Sequence, residues 1–194
     1  MTRGGFSMAQ TPTRRKPLME PSDQATEKHV RLAVNQGAAF ERALTAMTME
    51  KAPGAEKRAG DYIVGYAVER AEGLYHLRNG QLHWDERKEE NAHIEVVVRD
   101  ASDGRFIPGL TVYATLIDST GNDVGTHQQP FLWHPWLYHY GRNWQVPADG
   151  TYTIRLRIEA PEFGRHDKIN GQRYGEPVEV EFTDVRIQTG QKKS

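Results

Sequence analysis

The chain has 194 residues, enough for one ordinary domain and an appendage. Its 25 basic and 26 acidic side chains leave a formal net charge of -1, which supports neither a nucleic-acid surface nor a polybasic membrane patch. Cysteine is absent, so disulfides, thiolate metal sites, iron–sulfur clusters and cysteine nucleophiles are excluded, and a metal would fall to nitrogen and oxygen ligands among eight histidines and the carboxylates.

Residues 1–25 contain three prolines and the cluster Arg14-Arg15-Lys16, with no apolar run, and read as a disordered tail. A secretory signal needs about 7–15 apolar residues after its charged start. None follows Arg14-Arg15, so the chain as written is expected in the cytoplasm. No segment approaches the roughly 18 apolar residues of a spanning helix, so no direct membrane insertion is expected. Over 28–49, Leu32, Gln36, Phe40, Ala43, Leu44 and Met47 recur at three- and four-residue spacing. That stripe predicts an amphipathic helix packing on the following domain or on a second copy of the chain. Pro53-Gly54 ends it, and residues 26–59 read as helix plus linker.

From residue 60 the period becomes two. Tyr62, Val64, Tyr66 and Val68 alternate, as do Ile94, Val96 and Val98, then Leu110, Val112, Ala114 and Leu116. Tyr152 to Ile158 and Val178 to Phe182 complete the series. Asn79-Gly80 between two short runs signals a hairpin. Further turn signals fall at Asp103-Gly104, Gly121-Asn122 and Asp149-Gly150. The fold class predicted is all-β: an antiparallel sandwich over 60–187, preceded by one helix, with residues 188–194 as a flexible end.

Three segments carry candidate chemistry. In Ala92-His93-Ile94-Glu95-Val96, alternation puts His93 and Glu95 on one face, opposite Ile94 and Val96. An imidazole beside a carboxylate is half of a divalent-metal site, or else part of a polar, solvated strand face. The stretch 131–144 holds His134 and His139 with Trp133, Trp136, Trp144, Tyr138 and Tyr140. Its rings read as sandwich core or as a stacking surface. His166 lies in the long loop between the last two strong strands, as a solvated residue or a ligand donated from a loop.

Taken in order, these pieces resemble the periplasmic iron-transport proteins related to the treponemal membrane antigen. The resemblance runs over about residues 60–187 and is strongest over 93–182. It rests on His93-Ile94-Glu95, on Phe106 to Val112 after an Asp-Gly turn, and on His139-Tyr140-Gly141-Arg142-Asn143 before Gly150 to Ile154. Glu159-Ala160-Pro161 then leads through Gly164-Arg165-His166 to the strand at 177–182. The resemblance implies an immunoglobulin- or cupredoxin-like sandwich that binds copper or iron, accompanies an iron permease, forms a homodimer and works outside the cytoplasm. By position it implies His93, His139 and His166 as metal ligands, with Glu95 as the neighbouring carboxylate. The family's methionine ligand, seven residues before the histidine of His-Tyr-Gly, is Leu132 here, and His134 stands as the substitute.

The function expected is reversible, non-catalytic metal capture, with occupancy falling near pH 6.5 as imidazoles protonate. Two other readings stand beside it. One is a structural, carbohydrate-binding or protein-interaction sandwich using Trp133, Trp136 and Trp144. The other is a non-haem iron oxygenase, whose ligand set is also two histidines and a carboxylate.

Overall fold

The computed structural model describes residues 18–50 and 54–192. Most of the predicted tail, residues 1–17, lies outside the described residues. Glu20 is tied through its backbone N–H and carbonyl to the Asn170 side chain, and Ser22 Oγ donates to Asp167 Oδ2 at 2.7 Å. Helix α1 spans Glu27–Glu50. Strand β1 (Gly54–Ala59) follows and pairs with β2 (Tyr62–Glu69), so the segment expected as a linker is an edge strand. Its exposed residues carry no apolar alternation, and the open edge of β2 supplies the hydrogen bonds that extend it.

The hairpin at Asn79-Gly80 forms as expected, joining β3 (Leu74–Arg78) to β4 (Gln81–Asp85). Both turn residues have positive φ, 50° and 78°, as a two-residue type I′ turn requires. This ribbon stands apart as its own two-stranded sheet. After it come β5 (Ala92–Asp100), β6 (Val112–Asp118), β7 (Asp123–Gln128), β8 (Phe131–Leu132), β9 (His139–Trp144), β10 (Gly150–Ile158) and β11 (Val178–Ile187).

Two antiparallel sheets make the sandwich: a five-stranded one ordered β1-β2-β5-β9-β8 and a four-stranded one ordered β11-β10-β6-β7. Their facing side chains, among them Val64, Ile94, Val96, Val98, Val112, Leu116, Ile154, Leu156 and Phe182, form the main core. The all-β sandwich with a single helix therefore stands as the sequence indicated.

Strand β5 is buried on both faces. Its even residues fill the sandwich, while the odd residues His93, Glu95, Val97 and Arg99 face away from that core. Helix α1 covers part of this outer face: Leu44 and Met47, with Phe40 and Ala43, pack on Ala67, Val97 and Leu137. Leu32, expected in the stripe, is exposed, and Ala33 and Gly37 take its place against the domain. The far end of β5 is held by ions. Arg173 donates to both oxygens of Asp100, and Tyr174 donates its hydroxyl to Asp100 Oδ2 and its backbone N–H to Asp61. These bonds anchor the 159–177 loop.

Candidate metal centre

His93 and Glu95 lie on the outer face of β5, and neither is solvated; they are 0% and 6% exposed. The adjacent strand β9 is in register so that Glu95 faces Gly141 and His93 faces Asn143. His139 opens β9 on the same face and is equally buried. Pairing thus brings together three side chains that lie 46 residues apart at the extremes, and their donor atoms all fall within 4.8 Å of one another. His139 Nε2 is 3.8 Å from Glu95 Oε1, and the two imidazole rings stand perpendicular with centroids 6.0 Å apart.

Gly141 makes the space between them. A Cβ there would lie 3.0 Å from His93 Nε2 and 3.1 Å from His139 Cδ2. The buried Nε2 atoms of His93 and His139 accept and donate no hydrogen bond. Orphaned polar atoms in a protein interior are costly, and an ion bound there satisfies both. Metal–nitrogen and metal–oxygen bonds of about 2.0–2.2 Å need only a small contraction of this set. The residues therefore fit a divalent ion held by two imidazoles and a carboxylate.

Neighbours set the tautomers and charges. The Asn143 amide nitrogen donates to the Glu72 carbonyl at 2.6 Å, which assigns Asn143 Oδ1 as an acceptor. His93 Nδ1, 2.9 Å from that oxygen, must carry the proton, leaving the Nε2 lone pair aimed at the gap. Burial pushes the His139 pKa down to about 4, helped by His93 and His134 nearby, and burial lowers His93 as well. His139 is thus neutral, the form that ligates, well below pH 6.5, and burial favours the neutral form of His93 too. Lys192 bonds Glu69 and Glu72 beside the cluster. Burial pushes Glu72 up, but the Lys192 hydrogen bond and its positive charge outweigh it and hold the carboxyl low.

The remaining candidates divide. His134 lines the same small cavity as Glu95 and His139, its ring centroid 6.2 Å from that of His139. Leu132 pairs with His139 across β8 and β9 and offers no donor atom. The structure does not bring His166 to the cluster. It is exposed in a loop anchored to Asp100, and the seven-residue separation of His93 from Asp100 along β5 spans about 23 Å. Trp144 is buried in the core, whereas Trp133 and Trp136 are exposed. Sequence reasoning assigned no role to Asn143, Gly141, Glu72 or Lys192. Only the strand register reveals the first two, although both stand in the quoted His-Tyr-Gly-Arg-Asn motif.

The central strands of this β-sandwich bury paired imidazoles and a carboxylate, a donor set that can hold a metal ion. The chain belongs to the Fe2+ transport protein family, whose model matches residues 62–188. Its fold is similar to that of FetP from uropathogenic Escherichia coli strain F11, with a TM-score of 0.56 and 21% identity over 70% of this chain and 95% of that one. It is also similar to the copper-reconstituted P19 protein from Campylobacter jejuni, with a TM-score of 0.60 and 18% identity over 72% and 96% of the two chains. A copper-bound FetP variant matches with a TM-score of 0.58 and 17% identity, covering 74% of this chain and 95% of that chain. No curated protein matches the chain. The expectation of a cytoplasmic chain gains no support from these relatives, since FetP was expressed in the periplasm. No helix among the described residues is long and apolar enough to cross a membrane.

Proposed function

We propose that the chain is a non-catalytic carrier of copper or iron, accessory to iron uptake, which holds its ion through His93 Nε2, His139 Nε2 and Glu95, with His134 within reach as a further donor. The observation that carries this reading is the pair of buried, unbonded Nε2 atoms facing a carboxylate across the space left by Gly141. Copper-bound relatives of the same fold and the Fe2+ transport family support the choice of ion. Work outside the cytoplasm beside an iron permease belongs to the same proposal. So does a homodimer, as the family resemblance implies.

The test is isothermal titration of Cu(II) into metal-stripped protein beside the His93→Ala/His139→Ala double variant. One tight site per chain, lost in the variant, is expected. Equal binding by both proteins overturns the proposal and assigns the heat to surface histidines. A second reading has its own support. Phe131, Trp133, Trp136 and Tyr138 are all exposed along β8 and the segment leading to β9, Trp136 beside the centre, and exposed aromatics of this kind suit docking another protein.

A further inference from the structure

Cysteine's absence directs attention to nitrogen and oxygen, but a thioether is also a sulfur donor, and one stands at this centre. Met47, near the end of α1, is 5% exposed. It lines the cavity of about 20 Å3 bounded also by Glu95, His134 and His139. It also lines the neighbouring cavity of about 170 Å3 that reaches Glu95 from the other side, between Leu44, Ala67 and Val97. Met47 and Glu95 thus line both cavities together, while the strands contribute no sulfur to the cluster. The helix that carries it precedes the residues matched by the family model, which begin at 62.

From this placement we infer that Met47 is a metal ligand supplied by α1, and that it makes the centre a site for copper in both oxidation states. The inference rests on the metal-carrier reading above. Thioether sulfur is soft and uncharged, so it favours Cu(I), while the carboxylate and imidazoles favour Cu(II). Met47 with His93 and His139 forms the set for the reduced ion; Glu95 and His134 complete the set for the oxidised one. The flexible methionine chain turns toward or away from the ion with little backbone movement. The choice of ligand set then follows the charge on the metal.

The experiment compares wild type with Met47→Leu, a swap of similar volume that preserves packing. Cu(I) affinity is measured anaerobically by competition with bicinchoninate, and Cu(II) affinity by titration. X-ray absorption of the Cu(I) form gives the scatterers. A sulfur scatterer at about 2.3 Å is expected in wild type and not in the variant. Cu(I) affinity should fall at least about tenfold, with Cu(II) affinity within about twofold. Copper bound without a sulfur scatterer, or equal losses for both ions, overturns the inference and leaves the carrier intact. Absence of copper from wild type overturns both the inference and copper as the carrier's ion.

Discussion

Gly141 is the residue on which the centre's geometry turns, because its hydrogen occupies the place where any side chain would separate two imidazoles. Its backbone has no positive φ, so alanine is conformationally allowed and the effect is confined to the site. Gly141→Ala should cost about 1 kcal/mol of stability by crowding His93 and the Ile94 carbonyl. It should also weaken metal binding by about 10–100-fold, measured by the same titration. The histidines make a second prediction, for the metal-free protein. His139 titrates at about 4 in the fold and near 6.5 in the unfolded chain. Between those values the unfolded chain takes up a proton that the folded one refuses. Stability therefore falls as pH drops from 6.5 to 4, by about 3 kcal/mol from this group, and levels off below. Urea midpoints across that window check the slope, and His139→Phe should flatten it.

At the scale of elements, α1 is positioned by Gly37, whose Cα abuts the turn after β5. A Cβ there would lie 1.7 Å from the Asp103 carbonyl oxygen. Gly37→Ala, stabilising by about 1 kcal/mol in an exposed helix, should here destabilise by about 1–3 kcal/mol, read from the melting temperature. It should also loosen α1 over the centre. The strands of the sandwich were legible because a period of two is written locally, from Tyr62 to Phe182. The His93–Glu95 pair was legible for the same reason, and His139 through its motif. What the sequence concealed depends on distant partners. Strand β1 exists because β2 has an open edge, not because Gly54–Ala59 has strand character. The burial of Glu95 depends in part on Met47 of α1, 48 residues earlier, and the surroundings of His93 on a register that places Asn143 opposite it and Gly141 opposite Glu95. His166 stood as a third ligand only through the family resemblance, in a loop of variable length, and the Asp100–Arg173 pair fastens that loop at the other end of β5.

Across the whole molecule, one end of the sandwich is a locked electrostatic joint and the other holds the ion-sized gap. Asp100, buried yet hydrogen-bonded by Ser102 and Tyr174 and paired with Arg173, keeps its carboxyl below the usual range, so that joint stays charged at neutral pH. The opposite end is governed by size. The cavity beside His139 holds about 20 Å3, room for little more than a single water molecule. An ion with a full hydration shell is far larger than that, and so is any chelate. On the proposed carrier reading, an entering ion gives up its hydration water as the histidines replace it, and a departing ion regains it. The ion's way in and out of the centre, on that reading, passes the side chains of Met47 and Trp136, which line this cavity.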